Sequence, residues 1–205
     1  KKMTSEDQWG LLAPTNVNGF LMYLKQNGGE YLSEDNTKAL HNSPDGIESL
    51  QFLTDYIYKH KVSPPPGTTD AVDLYNGRIA MWYDHNGSLP NFKKFAPDLN
   101  FASAVNPMKD NPVTIEMSTV MSVFKESRYP DQAWELLKWM CYEDDMQMLW
   151  ATEIGHLPAV KSLVNQPPFS TEAKWMGFQK QVNTAMWARP VALRSLEMYQ
   201  MLNSE

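Results

Sequence analysis

The sequence predicts an α/β protein, rich in helices and carrying a mixed sheet, and three observations lead there. Asp70 to Tyr83 reads as helix, tight turn and strand in immediate succession, the alternation that builds α/β layers. Apolar residues recur at helical spacing in several separate stretches, each bounded by its own stop and start signals. At 205 residues and 42% hydrophobic content, the chain can bury a real core as one domain or as two small lobes.

Taken in order, Gln8 to Ala13 reads as a short strand stopped by Pro14, and the next segment places Phe20, Leu21 and Leu24 on one helical face. Gly28-Gly29 supplies the left-handed residue that closes that helix. Ser43 is a good N-cap with Pro44 in the first turn, and Ile47, Leu50, Leu53 and Ile57 carry the apolar face of a second helix. Val62 to Gly67, with three prolines, is a stiff connector. Asp70 caps a short helix holding Ala71, Leu74 and Tyr75, and Asn76-Gly77 ends it before a strand at Ile79 to Tyr83.

A brief helix through Phe92 and Phe95 follows, then strands at Asn100 to Val105 and Val113 to Phe124. From Pro130 the character is helical. Ala133, Trp134, Leu137 and Met140 form one helix, and Asp144 starts another that Gly155 ends. Pro158 opens a short piece through Leu163, Thr171 to Trp187 makes a further helix, and a last helix runs from about Leu193.

Composition narrows the function. The net charge of −6 arises from 18 basic and 24 acidic residues without a basic block, so nothing here grips a phosphate backbone and nucleic acid is not an expected partner. The single cysteine, Cys141, cannot form an internal disulfide and reads as a packed helical thiol with no local activating partner. His41, His60, His85 and His156 lack the close spacing of a zinc site, and no glycine-rich phosphate loop follows a strand. Neither a metal nor a cofactor is expected. No run approaches the roughly 20 apolar residues that span a bilayer.

The most informative stretch is Asn76 to Gly87, where an apolar strand ends abruptly in Trp82, Tyr83, Asp84, His85 and Asn86. Such a tip has two readings. It is either a core strand with a polar turn, or a recognition edge for a sugar, whose flat C–H faces suit aromatic rings and whose hydroxyls suit fixed donors and acceptors. A glycosidase needs two carboxylates across one bond, and Asp84 and Glu116 are the pair to consider. Trp187-Ala188-Arg189-Pro190 stands at an expected helix end, where the arginine either caps helix carbonyls or forks onto a ligand oxygen.

Gln26-Asn27-Gly28-Gly29, the helix from Ser43 to Leu53, Asn76 to Met81, Asp131 to Leu137 and Gly155 to Ala159 share an order and spacing. In that arrangement the chain resembles the extracellular solute-binding proteins of bacterial ABC importers (family 1, maltose-binding-protein-like). The resemblance implies a periplasmic-binding-protein type II-like lobe with the N-terminal lobe largely missing. It places residues 1–118 in the main part of the second lobe, returns 119–165 to the first, and takes 166–205 back to the second as a helical segment. Apolar surface between Val120 and Val164 is then expected to lack its usual cover.

The same resemblance implies ligand contacts at Asn16 and Asn18 after the first strand, Tyr83, Asp84 and His85 at the strand tip, Glu116 and Met117 on the hinge strand, and Trp187 and Arg189 late in the chain. Two features depart from the family pattern. His85-Asn86-Gly87 replaces a Gly-Xaa-Trp stacking motif, so Tyr83 or Trp187 is the candidate stacking ring, and Thr114 to Ser118 lacks paired glycines. The expected function is sugar or polyol binding in an interlobe cleft and delivery to ABC permease subunits, without chemistry. The protein is expected to be a monomer, periplasmic or extracellular, and lipid-anchored in a Gram-positive cell. The rivals are a carbohydrate-active enzyme using Asp84 and Glu116, a sensor lobe presenting ligand to a receptor, and a binding protein for a non-sugar solute.

Overall fold

The computed structural model describes residues 1–116, 118–188, 190 and 195–204. They fall into two compact units: Lys1–Asp84 with Asn106–Glu116 and Thr184–Glu205, and His85–Val105 with Met117–Asn183. This is a partition by contacts within the chain. Its boundaries differ from the segments 1–118, 119–165 and 166–205 expected from the resemblance.

The first unit is built around α1 (Val17–Gln26). Asn16 caps it by accepting from the Gly19 N–H at 3.0 Å, and seven of its ten residues are buried, far more than a one-sided surface helix hides. Val17, Leu21 and Leu24 pack with Tyr31 and Leu32, while Met22 and Tyr23 pack with Leu53 of α2 (Pro44–Ile57). Ser43 caps α2 through the Gly46 N–H at 3.2 Å, with Pro44 in the first turn as the sequence predicts. Asp70 caps α3 (Ala71–Tyr75) in a reciprocal capping box with Asp73.

Parallel pairing supplies the sheet. β1 (Val113–Glu116) and β2 (Ala185–Ala188) pair in register, Val113 with Ala185 through Glu116 with Ala188. The segments around Trp9 and Ile79 also pair in parallel, through Trp9 N–H to the Arg78 carbonyl at 2.8 Å, Ala80 N–H to Trp9 at 2.9 Å and Leu12 N–H to Met81 at 2.8 Å. These two segments make bridges where the sequence predicts fuller strands. One antiparallel bridge joins Leu32 and Ala39.

Buried Gln26 sets the direction of α1. Its Nε2 donates to the Val113 carbonyl at 2.9 Å, and its own carbonyl accepts from Asn111 N–H at 3.1 Å. The C-terminal end of α1 therefore sits at the start of β1, and the helix runs back along the strand so that Asn16 and Asn18 lie toward the Glu116 end. α9 (Ser195–Ser204) adds Met198, Tyr199 and Leu202 to the same core.

In the second unit α4 (Leu89–Phe95), α5 (Pro130–Tyr142), α6 (Asp144–Ile154), α7 (Lys161–Val164) and α8 (Ala173–Gln181) surround a core of Ala151, Phe169 and Trp175, with Leu89, Met148 and Leu157 against it. Gly155 ends α6 at φ 91°, where a Cβ would lie 2.7 Å from the Asn86 carbonyl oxygen. Buried Gln147 ties three segments, donating to the Cys141 carbonyl and accepting from Ala159 N–H at 2.8 Å. No helix among the described residues is long and apolar enough to cross a membrane.

Three predicted elements are corrected. Asn100 to Val105 is not a strand, because its polar groups bond to α8: Ser103 N–H donates to the Ala173 carbonyl at 2.9 Å, and Ser103 Oγ accepts from Gly177 N–H at 2.8 Å. The helix predicted through Trp187 stops at Gln181, and Ala185 to Ala188 joins β1 instead, where parallel pairing gives its backbone partners on the neighbouring strand. The strand predicted from Val113 to Phe124 ends at Glu116, beyond which Val120 is 86% and Phe124 73% exposed. α5 buries no residue fully, and Trp134, Leu136, Trp139 and Tyr142 stand exposed along it.

Gly19 tests the packing of α1 most sharply. A Cβ there would lie 2.0 Å from the Pro14 carbonyl oxygen. Gly19→Ala gains helix propensity of about 1 kcal/mol but must displace backbone, and overpacking costs about 1–3 kcal/mol or more. We expect a net loss of roughly 2 kcal/mol in urea unfolding; an unchanged midpoint would show that α1 does not sit this close to Pro14.

Candidate functional site

The candidate site lies where the first unit's parallel segments end. Four segments point the same way within their pairs, and the residues that follow them carry polar and aromatic groups: Asn16 and Asn18 after Leu12, Tyr83 and Asp84 after Trp82, Glu116 at the end of β1, and Ala188 opposite it at the end of β2. In open α/β sheets, ligands bind outside the carboxyl ends of the strands, where loops diverge and backbone groups are free to face a ligand.

Each predicted residue has a definite place. Asn16 is exposed and serves as the cap of α1 through its Oδ1. Asn18 is half-buried, donates from Nδ2 to the Tyr199 hydroxyl at 3.2 Å, and keeps a buried Oδ1 that has no donor among the described residues. Such an orphaned acceptor costs about 1–3 kcal/mol unless water or a ligand hydroxyl reaches it. Tyr83 is half-buried, while Asp84 and Glu116 are exposed.

Trp187 sits on β2 opposite Ile115. Its ring packs on the α1 core, with Lys25 Nζ 5.6 Å from the ring centroid. The sequence places Trp187 at a helix end; the strand instead gives it a packing role against α1. Met117 and Arg189 lie outside the described residues. His85 belongs to the second unit, where it precedes a 3-10 turn at Asn86–Ser88 and lies beside Gly87.

Sequence reasoning misses the support beneath Tyr83. The buried Tyr23 hydroxyl donates to the Tyr83 hydroxyl at 2.7 Å, and the rings meet edge to face at 6.1 Å and 72°. Phe52 packs edge-on to Tyr23 at 5.4 Å and lies 4.8 Å from Tyr56, whose hydroxyl also hydrogen-bonds Tyr23. Burial pushes all three phenols above their ordinary range, and for Tyr23 the bond to Tyr83 adds to that push. The signal was present: a tyrosine beside Leu24, inside an otherwise apolar buried helix, needs a partner for its hydroxyl.

A cavity of about 340 Å³ lies at the opposite end of the Trp9 and Ile79 pair, lined by Trp9, Asp7, Asp73 and Arg78 among others. Arg78 is exposed there and pairs with Asp73 at 3.3 Å. That cavity stands apart from the strand ends and holds none of the residues predicted to bind ligand.

The geometry defines one end of a parallel α/β lobe, and comparison with known proteins identifies the class. The family model for bacterial extracellular solute-binding proteins matches residues 1–177. The chain belongs to that family, and the resemblance read from its motifs holds. It is similar to the maltotriose-binding protein of Pyrococcus abyssi, 19% identical over 185 residues, covering 88% of this chain and 41% of that protein. Among solved structures it is similar to an ABC substrate-binding protein of Listeria monocytogenes in complex with cycloalternan, with a TM-score of 0.81 at 22% identity, covering 98% of this chain and 53% of that one. The sugar-binding protein MalE of Xanthomonas citri gives a TM-score of 0.80 at 20% identity, covering 100% and 53%. The chain thus spans about half the length of these relatives, and its fold is theirs.

The tyrosine cluster makes a pH prediction. Unfolded tyrosines titrate near pH 10, whereas these three hold their protons to higher pH when folded. Their contribution is fully present below about pH 10; above it the unfolded chain releases protons that the native state retains, so stability falls as pH rises. The urea midpoint should drop between pH 9 and 11, and less steeply in Tyr23→Phe. Equal slopes in the two proteins would show that Tyr23 is not held in its neutral form.

Proposed function

We propose that this chain is part of the sugar-binding component of an ABC importer, holding a mono- or oligosaccharide or polyol in a cleft and delivering it to permease subunits. The observation that carries this reading is that, within one unit, Asn16, Asn18, Tyr83, Asp84 and Glu116 each end or follow a segment paired in parallel. An aromatic ring held beside amide and carboxylate groups is what a sugar needs, since ring stacking and each hydrogen bond contribute about 0.5–1.5 kcal/mol apiece. Cycloalternan in the Listeria structure and maltotriose in the name of the Pyrococcus protein support a carbohydrate cargo.

The protein acts in this reading as a binder and not an enzyme. Asp84 and Glu116 are both exposed, whereas the general acid of a glycoside hydrolase sits in an apolar pocket that keeps it protonated. Arg189 belongs to the same proposed contact set, and Trp187 bears on it through the strand it anchors to α1. The site of action is extracellular or periplasmic, and the protein works as a monomer.

Calorimetric titration of the natural full-length protein with maltotriose, maltose and tagatose, against amino acids and oligopeptides as controls, tests this. Binding of one sugar class is expected, with Asp84→Ala weakening it about three- to tenfold and leaving the melting temperature within about 1 °C. Binding of peptides alone would overturn the choice of cargo, and turnover of the bound sugar would overturn the non-enzymatic reading.

A further inference from the structure

Tyr83 is an aromatic residue that immediately follows a paired segment at the candidate site, and its hydroxyl accepts from Tyr23. Its partner, Tyr23, is 7% exposed and lies on α1 between Met22 and Leu24. Tyr23 is itself held from two sides, edge-on to Phe52 at 5.4 Å and edge-on to Tyr83 at 6.1 Å, so it has one ring orientation available. At 2.7 Å the hydroxyl contact with Tyr83 is at the normal length of an O–H···O bond.

That bond has a chemical consequence. A phenol has one proton to give and two lone pairs to accept with. When Tyr23 donates into the Tyr83 oxygen, it occupies a lone pair of Tyr83 and leaves the Tyr83 proton uncommitted by this contact. Donation into an oxygen also polarises it, so the outgoing O–H becomes a better donor. Fixing the ring before ligand arrives removes an entropy cost that a free tyrosine would meet on binding.

Resting on the sugar-binding reading above, we propose that Tyr23 is a positioning residue of the site: it locks the Tyr83 ring at the strand tip and commits the Tyr83 proton to a sugar oxygen. Tyr23 itself touches no ligand. The bland role, a core tyrosine with a satisfied hydroxyl, is separated from this one by Tyr56. Its hydroxyl bonds to Tyr23 rather than to Tyr83, and its ring belongs to the same cluster. The raised titration of all three phenols is consistent with a network that stays protonated at ordinary pH.

The test is a double-mutant cycle in the natural full-length protein, read as the Kd for maltotriose at pH 7 beside the melting temperature. Tyr23→Phe and Tyr83→Phe should each weaken binding about three- to tenfold, and the double variant should be no more than twofold weaker than the worse single variant, because both remove one linked device. Tyr56→Phe should lose a similar few degrees of melting temperature with Kd within twofold of wild type. An unchanged Kd in Tyr23→Phe, multiplying losses in the double variant, or losses that track melting temperature in all three would overturn the proposal alone. A wild-type protein that binds none of maltotriose, maltose and tagatose would overturn the sugar reading and this proposal with it.

Discussion

Burial of α1 is the constraint on which the first unit depends. A helix that hides seven of its ten residues cannot be a surface helix; it needs cover on nearly every side. Leu21 and Leu24 are fully buried, and each such side chain contributes about 1.5–3 kcal/mol. α2, β1, β2 and α9 are the elements that supply this cover, and each is thereby fixed relative to the helix. Buried Gln26 then removes the remaining freedom. Its bond to Val113 forbids α1 from sliding along β1 without stranding an amide and a carbonyl.

The site follows from that arrangement. With the helix C-terminus pinned at the start of β1, its N-terminal Asn16 and Asn18 lie toward the strand's far end. Tyr23, two turns into the helix, reaches sideways to Tyr83 and ties the other parallel pair to the same hub. The groups proposed to face a ligand are thus short extensions of buried elements. They sit on loops, but loops whose roots are held by the core, which is how a binding edge is kept ready without a rigid surface.

Local signals were legible in the sequence and distant ones were not. Ser43, Asp70 and Gly155 mark helix ends through contacts within a few residues, and all three act as read. Trp187 was misassigned because Val182 to Trp187 suits helix or strand equally, and the ladder that decides the matter lies some seventy residues earlier in β1. Ser103 looked like strand because its true partners, Ala173 and Gly177, are on a helix that comes much later. The candidate site divides the same way. Tyr83 and Asp84 announce themselves as polar groups at the end of an apolar run, whereas the partners of Tyr83 and Asn18 are 60 and 181 residues distant.

A crystal structure of the natural full-length protein with maltotriose bound tests the account most directly. The account predicts a glucose ring against Tyr83, with sugar hydroxyls in hydrogen-bond reach of Asp84 and of the buried Asn18 oxygen that has no donor among the described residues. A sugar seated instead at the opposite end, in the cavity between Trp9 and Arg78, would contradict it.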